Sequence, residues 1–504
     1  DGQFNLNGKN ETIGSLASSS STANVVLGAG TLTTGGANTS TSFAGTISGS
    51  GGFIKTGTGN QTLSGTSANT YTGATVVYDG TLTLAKDAGI NAVAGALTIG
   101  DGSGATSSAK VQLTNANQIA DTSVVTLDSD GQFNLNGQNE TIGSLNSASS
   151  TANIVLGGGP LTTGELDTAN TTYAGTISGG GGFIKTGTGN LTLSGASGAG
   201  HLGVTTVSEG TLTIANSTAL GNTLAGTNIG ASGTLAISGG STTLSEAIIN
   251  EGLIENVAGT NTFDGAASGA GGLTVSAGSL TVSGPVANSY TGVTAVNDGS
   301  LILAKTAGTT SVAGSLTIGD GTGATSSAIV QLTNANQIAD TSAVTIDSDG
   351  QFNLNGQAET IGSLASSSST ANVVLGAGTL TTGGANTSTQ YDGSISGTGG
   401  LTKTGTGTML LNGNNGFTGT TTVNGGTLAV DGNQATNRLA SNAAVTVNNG
   451  GTFEIRGVNA LATAGNAVDF TPPSNLAPTR ITPTPVWPSK ARIPSRLIPA
   501  STSR

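Results

Sequence analysis

A short glycine-rich segment, residues 100–104, carries an acid and a hydroxyl in an order similar to that around serine nucleophiles. It reads GDGSG, and His201 is the only histidine of the chain. A serine nucleophile needs a general base within hydrogen-bond reach. In the second copy of the segment Thr322 replaces Ser103, and that copy contains no histidine. The segment therefore predicts a turn and not a catalytic site.

Paired aspartates occur twice in an arrangement that could suggest a calcium loop. The sequence Asp-Ser-Asp-Gly is present at 128–131 and at 347–350. An EF-hand needs further oxygen ligands and a glutamate at its twelfth position. With Asp130 at position 5, the twelfth position is Gly137. We expect solvated turns here, and weak adventitious calcium binding is the alternative.

Residues 49–56 (GSGGFIKT) partly match a phosphate-binding loop, in which Gly, four residues and Gly-Lys-Thr precede a helix. Ile54 stands where that loop has glycine, and Val275 replaces the lysine in a later copy. No helical pattern follows to present an N-terminus. We therefore expect no nucleotide site.

Three aromatic residues precede Thr-Gly in related segments: Tyr71, Tyr290 and Phe417. We expect them to pack over corners of the fold, and stacking on glycans is the alternative. His201 lies in the loop sequence GAGHLG, and we expect it to be exposed and to hold no ligand. The sequence thus predicts no catalytic residue, no cofactor-binding residue, no cofactor and no metal ligand.

The composition limits the elements that could position any site. The 504 residues include 84 Gly and no Cys, with 8% charged and 3% aromatic residues. The low charge argues against a disordered chain, and the absence of Cys excludes a disulfide scaffold. No apolar run is long enough for a transmembrane helix. Residues 1–470 are strongly acidic, which argues against nucleic acid as a partner.

Internal repeats dominate the sequence. Residues 1–40 recur at 349–388 with two differences, and residues 101–137 recur at 320–356 with four. A shorter motif beginning Gly-Gly occurs four times, at 51–84, 181–214, 271–303 and 399–430. The chain starts inside a repeat, so we expect it to be a piece of a longer array.

Each copy of the motif alternates small polar and aliphatic residues, as in the stretch 81–84 (TLTL). A period of two predicts strands with one face buried. Such strands bury that face only when copies stack. We predict an all-β fold, a right-handed parallel β-helix (β-solenoid) over 1–470, with about 20 coils of about 20–25 residues, about 4.8 Å apart.

Residues 471–504 differ in composition from everything before them. They contain 8 of the 10 prolines, five basic residues and no glycine. Proline cannot donate to a strand ladder, so we expect the solenoid to end near Phe470. Two interpretations stay open: a disordered, extended Pro-rich linker, or translation in a shifted reading frame.

The unit at 399–428 (GGLTKTGTGTMLLNG…FTGTTTVNGGTL) resembles the autotransporter-associated β-strand repeat. The copies at 51–84 and 181–214 are similar, whereas 271–303 departs from the pattern at Val275. The resemblance implies the secreted passenger region of a type V secretion protein. Such repeats are thought to assist passage through the outer membrane, and their passengers are often adhesins or stalks. The family's C-terminal β-barrel translocator has no counterpart in this sequence.

We therefore expect a non-enzymatic cell-surface or secreted passenger fragment: a stalk, a translocation aid and an adhesin. Its expected location is extracellular, associated with the outer membrane through the missing barrel. The expected partners are glycans or proteins of a host or neighbouring cell, without nucleic acid and without membrane insertion by this segment. Two alternatives stay open: a polysaccharide-processing or polysaccharide-binding β-helix, and a structural biofilm or surface-layer protein outside type V secretion.

Overall fold

A computed structural model describes residues 2–165, 170–197, 200–431, 439, 444–456 and 468–469. The described strands pair in parallel and form a β-solenoid of about 21 turns, without a helix. The predicted all-β parallel solenoid is confirmed, and the number of turns is close to the expected one. The tail 471–504 and the predicted end at Phe470 lie outside the described residues.

The N-terminal part of the described chain contains three sheets. The first consists of Gln3–Asn5, Asn24–Gly28 and Thr46–Gly49. The second consists of Glu11–Ile13, Leu32–Thr34, Phe53–Lys55, Thr75–Val77, Leu97–Ile99, Val124–Leu127 and Ser144–Asn146. The third consists of Thr41–Phe43, Asn60–Gly65, Gly80–Lys86, Ala109–Leu113, Gly131–Asn134, Asn153–Val155 and Thr176–Ser178.

The middle part contains the two longest sheets. The main path of one consists of Glu140–Ile142, Leu161–Thr163, Phe183–Lys185, Thr205–Ile214, Thr227–Ile237, Leu253–Asn256, Gly272–Val275, Thr294–Val296, Leu316–Ile318, Ala343–Ile346 and Ser363–Ala365. Beside this path lie Thr171–Tyr173, Asn190–Leu193, Ile248–Asn250 and Ala267–Ser268. The other sheet consists of Thr243–Leu244, Thr260–Phe263, Ser279–Val282, Gly299–Leu303, Ala328–Leu332, Gly350–Asn353, Asn372–Val374 and Ser394–Ser396.

Two further sheets complete the described chain. The six-stranded sheet consists of Glu359–Thr360, Leu380–Thr382, Leu401–Lys403, Thr421–Val423, Val445–Val447 and Val468–Asp469. The four-stranded sheet consists of Thr389–Tyr391, Thr408–Leu411, Gly426–Asp431 and Gly451–Arg456. In both sheets every strand pairs with the strand one coil earlier or later, as the repeat pattern predicts.

The period of two in the sequence becomes alternation between the inside and the outside of the coil. Leu84 is fully buried and pairs with Leu63 in the coil before and Leu113 in the coil after. Both partners are fully buried as well, so the three side chains stack in one column. A single cluster of buried apolar side chains extends in this way from Leu6 to Val445. The core is therefore thin and continuous along the rod.

Coil length varies more than the sequence predicts. Leu253 pairs with Gly272, 19 residues later, whereas Thr81 pairs with Lys110, 29 residues later. In the longer coil residues 101–106 form an exposed loop. Parallel pairing fixes only the strands, so extra residues leave the stack as loops.

Glycine is required where consecutive corners touch. A Cβ atom on Gly399 would lie 1.7 Å from the carbonyl oxygen of Gly378, one coil earlier. The same approach recurs at Gly51 and Gly181 in the other copies of the motif. Because no side chain fits at such a distance, these glycines set the spacing of the corners.

Candidate functional site

Where the sequence predicts a turn, the GDGSG segment at 100–104 bends into the exposed loop 101–106. The buried Asp130 carboxylate accepts hydrogen bonds from the backbone N–H groups of Asp101 and Gly102, at 3.1 and 2.9 Å. The Ser103 hydroxyl donates to the Asp101 carboxylate at 2.6 Å. The Asp130 carboxylate supports this segment, and the hydrogen bond from Ser103 lowers the pKa of the Asp101 carboxyl, which makes it a poor base for activating the hydroxyl.

The two Asp-Ser-Asp-Gly segments have the same geometry. Asp349 accepts from the N–H of Gly321 at 2.9 Å and from the Ser327 hydroxyl at 3.3 Å, as Asp130 does in the earlier copy. Burial, helped by the charges of Asp130 and Asp101, raises the pKa of Asp128. Among the described residues no group of three or more His, Cys, Asp or Glu could hold a metal ion. The carboxylate of the second aspartate in each pair thus accepts hydrogen bonds from the chain itself.

The lysine of the partial phosphate-loop match points into the rod. Lys55 Nζ donates to the carbonyl oxygens of Thr56 and Gly57, both at 2.7 Å, and of Asp79 at 3.1 Å. Its side chain is fully buried. Burial lowers its pKa to about 8, against the opposing effect of the Asp79 charge. The ammonium is committed to backbone carbonyls, so this lysine does not reach a phosphate at the surface.

His201 differs from the expectation of an exposed residue, because only 1% of it is exposed. Its Nδ1 lies 3.2 Å from the carbonyl oxygen of Leu220, and its Nε2 lies 3.2 Å from that of Gly181. Burial lowers the pKa of the imidazole, although both carbonyls oppose the shift. The ring therefore lies between the coils before and after it. The sequence gives no sign of this, because the histidine occurs once and in a glycine-rich loop.

The three predicted corner aromatics are buried, which confirms their packing role. Tyr71, Tyr290 and Phe417 are at most 1% exposed. The hydroxyls of Tyr71 and Tyr290 bond the hydroxyls of Thr75 and Thr294. The alternative of stacking on glycans is wrong, because no ring face is open to solvent.

Sequence analysis missed the buried carboxyls. Glu140 accepts from the backbone N–H groups of Gln118, at 2.8 Å, and Ile119, at 3.3 Å. Burial raises the pKa of Glu140 to about 8 and that of its repeat counterpart Glu359 to about 7. Their signal was present in the alternation, because Glu140 and Ile142 are two residues apart and share the inward face.

Because the groups described so far are bonded to the chain itself, contact with other molecules is left to the outer surface. An open groove of about 440 Å³ has Glu165 and Glu209 among its lining residues. Its other described lining residues are Thr141, Thr162, Thr186, Gly187 and Thr188. Hydroxyls and carboxylates can exchange hydrogen bonds with sugar hydroxyls. The described lining contains neither the aromatic nor the basic residues of the polysaccharide-processing alternative.

A regular polar face lies on the six-stranded sheet. In its first five strands the outward position is threonine, partly exposed, between inward-facing neighbours. We call this row the threonine ladder; it consists of Thr360, Thr381, Thr402, Thr422 and Thr446. With one hydroxyl and one methyl per coil, it repeats every ~4.8 Å along the rod.

No described helix has both the length and the apolar character needed to cross a membrane.

Comparison with known proteins identifies the repeats. The family described as Passenger-associated-transport-repeat matches residues 53–84, 183–214, 283–303 and 401–430. These are the four copies found in the sequence, and the third match begins after the departure at Val275.

One relative is described as "Adhesin BmaC autotransporter", from Brucella suis biovar 1 (strain 1330). It is 29% identical over 301 residues, which are 54% of this chain and 8% of the relative. The chain thus matches a small part of that protein's length. No solved structure matches the chain. The chain thus carries four repeats that match this family, in order on a parallel β-solenoid, and part of it is similar to an autotransporter adhesin.

Proposed function

We propose that the chain is a non-enzymatic stalk of an autotransporter passenger, exposed on or released from a Gram-negative cell. The continuous core from Leu6 to Val445 carries this proposal, because a rod of about 21 turns spans about 100 Å at the coil spacing of a parallel stack. The groups that could do chemistry, such as Asp130, Lys55 and His201, are bonded to the backbone. This supports a structural role over a catalytic one.

The proposal includes assistance to export through an outer-membrane translocator. Each described strand hydrogen-bonds only to strands of adjacent coils, so coils can fold one after another as they leave a pore. Every coil added outside buries apolar side chains, which opposes return of the chain. No cysteine is present to form a disulfide before export.

The test joins the chain to an autotransporter translocator in a Gram-negative host and measures protease sensitivity of the chain on intact cells. Leu401→Asp places a charge in the core, because Leu401 is fully buried. Thr402→Asp, one residue away and outward-facing, is the matched control. We expect the wild type and the control to reach the surface and the core variant to remain inside. Equal export of the two variants would overturn the translocation role.

We further propose that the rod is adhesive, with glycans or proteins of a host or neighbouring cell as partners. The exposed large apolar residues concentrate in coils 202–293, where the repeats are most diverged. Leu224 is 93% exposed, Val286 58% and Ile249 54%. Contiguous apolar patches are typical of contact surfaces, and the concentration of exposed apolar side chains in these coils supports a protein or glycan contact there.

Beads coated with the full chain test adhesion to cultured cells. The triple variant Leu224→Ser, Ile249→Ser, Val286→Ser should lower bead retention severalfold. The matched control carries three Thr→Ser changes on the threonine ladder and should retain beads normally. Treating the cells with glycosidase or with protease separates the two classes of partner. Unchanged retention of the apolar-to-serine variant removes this surface from the proposal.

A further inference from the structure

Four exposed apolar side chains lie together on three consecutive coils. We call them the apolar face; they are Leu202, Val204, Leu224 and Ile249. They lie in or just before the segments 205–207, 227–229 and 248–250, which pair with one another in that order. Because coils are about 4.8 Å apart, the three segments cover only about 10 Å of the length of the rod.

The backbone that carries this face is held by hydrogen bonds. The N–H of Asn222 donates to the carbonyl of His201, one coil earlier, at 2.8 Å. The N–H of Leu224 donates to the Asn222 side chain, also at 2.8 Å. Leu202 directly follows the buried His201 and is exposed. A partner that covers these side chains therefore orders little of the chain on binding, which favours affinity.

The sequence around the apolar face contributes negative charge alone. Between Lys185 and Lys305 it contains six acidic residues and no lysine or arginine. Both of these lysines are buried. A surface of one sign attracts partners of the opposite sign and repels those of its own.

Two of these carboxylates lie beside the apolar face. Glu251 is exposed and follows Ile249 by two residues, and its Oε2 accepts from the N–H of Ala270 at 3.3 Å. Glu209 is also exposed and follows Val204 by five residues, which is at most about 18 Å along the chain. One partner surface can therefore contact the aliphatic groups and the carboxylates together.

Two features favour a protein over a glycan as this partner. The apolar face consists of leucine, valine and isoleucine, which have no flat ring on which a sugar could stack. Glycans that carry carboxylate or sulfate groups meet repulsion from Glu209 and Glu251, because like charges across an interface are costly. A protein surface with aliphatic and basic side chains meets neither obstacle.

We propose that the apolar face binds a basic protein surface. Aliphatic side chains of the partner cover Leu224 and Ile249, and its lysine or arginine side chains pair with Glu209 and Glu251. The inference rests on the adhesive role proposed above and names the class of its partner. Charge attraction speeds the encounter and makes it sensitive to salt, and burial of the aliphatic groups stabilises the complex.

Retention of beads coated with the full chain on cultured cells tests the pairing of charges. Glu209→Gln with Glu251→Gln should lower retention about fivefold, because each ion pair at the rim of an interface contributes modestly. Asp121→Asn with Asp340→Asn is the matched control and should leave retention nearly unchanged, since both aspartates are exposed on coils outside the face. Equal retention for the two double variants would overturn the proposal.

A synthetic peptide that alternates leucine and lysine tests the chemistry of the partner directly. It should bind the immobilised full chain about tenfold more tightly than a peptide with glutamate for lysine or one with serine for leucine, and added salt should weaken it. Leu224→Ser with Ile249→Ser should remove this advantage. Val124→Ser, at an exposed apolar residue of another coil, should keep it. Heparin binding that depends on Leu224 and Ile249 would identify an anionic glycan and contradict the proposal.

The outcomes separate this inference from the adhesive role. If Leu224→Ser, Ile249→Ser, Val286→Ser lowers bead retention and the glutamine variant does not, the surface is adhesive but its partner is not basic. If the apolar-to-serine variant leaves retention unchanged, the adhesive surface fails and this inference with it. Circular dichroism of each variant should match the wild type, because all the changed side chains are exposed.

Discussion

Among the described residues, five lysines place their ammonium groups inside the rod: Lys55, Lys86, Lys185, Lys305 and Lys403. Each donates to backbone carbonyls at a corner, as Lys305 does to Gly265 and Ser283 at 2.9 and 2.8 Å. Corner carbonyls have no strand partner, and an unbonded buried carbonyl is costly. The lysine of the repeat motif is thus a cap for the turn that follows it.

The third copy of the motif shows the same requirement met differently. Val275 replaces the lysine, and the amide of Asn256 in the preceding coil donates to the carbonyl of Ala277 at 2.7 Å. Asn261 donates in turn to the Asn256 side chain at 2.8 Å. The third copy therefore keeps a hydrogen bond to the corner carbonyl, but an asparagine amide replaces the lysine as its donor.

Replacing Lys55 by methionine should destabilise the chain by about 3 kcal/mol, because buried carbonyls lose their donor. Lys9→Met is the control, since Lys9 is exposed. Urea unfolding of the full chain, followed by circular dichroism, gives the free energy of unfolding. Equal values for the two variants would contradict the capping role.

The buried glutamates predict a fall in stability as the pH rises. Burial raises the pKa of Glu140 from 4.5 to about 8 and that of Glu359 to about 7. Between about pH 4.5 and these values the folded chain holds protons that the unfolded chain has released. Their stabilisation is therefore complete below about pH 4.5 and lost by about pH 8. The melting temperature should fall over this range.

Glu140→Gln with Glu359→Gln should flatten this pH dependence. The control is Glu11→Gln, because Glu11 occupies the same repeat position and is exposed. Scanning calorimetry at several pH values gives the slope for each protein. A double variant that keeps the wild-type slope would show that other groups carry it.

His201 should titrate below the ordinary histidine pKa of 6.5, because burial lowers it. A lowered value means that the folded chain binds this proton less readily than the unfolded chain, so its contribution to stability is lost as the pH falls below about 6.5. The chain has one histidine, so its imidazole NMR signal is unambiguous. A midpoint at or above 6.5 would show that the two carbonyl contacts outweigh burial.

At the scale of the coil, corner glycines hold the stack together. Gly399→Ala should cost about 2–3 kcal/mol, because the new methyl overlaps the Gly378 carbonyl and forces two corners apart. Gly416→Ala is the control, since a Cβ atom there meets nothing within 4 Å. Thermal unfolding measures both. Equal melting temperatures for the two variants would show that the spacing of the corners does not limit stability.

Strand placement was predictable because the alternation of apolar and polar residues is a local property. The inward positions of Leu82 and Leu84 follow from it. The inward placement of polar residues was not predictable from the alternation. Lys55 and Glu140 are stable inside the rod because they hydrogen-bond to carbonyl and N–H groups of neighbouring turns. His201 was misplaced for the same reason: its partners lie in coils about 20 residues away.

At the scale of the whole molecule, the rod is a stack of similar coils. One core cluster runs the described length, and each coil stabilises the next through parallel pairing and shared side-chain columns. Stability in such a stack depends on intrinsic coil stability and on the contacts between neighbours. Because no long-range closure is needed, the length of the rod is free to change by whole coils.

This predicts that one coil can be removed without loss of the fold. Leu380 and Leu401 occupy the same register position one coil apart, so deleting 380–400 places Leu401 where Leu380 was. The shortened rod should keep its circular dichroism spectrum and nearly its melting temperature. Deleting 380–390, about half a coil, is the control; it moves strands off their columns and should unfold the adjacent coils. If both deletions behave alike, the molecule is not a stack of independent layers.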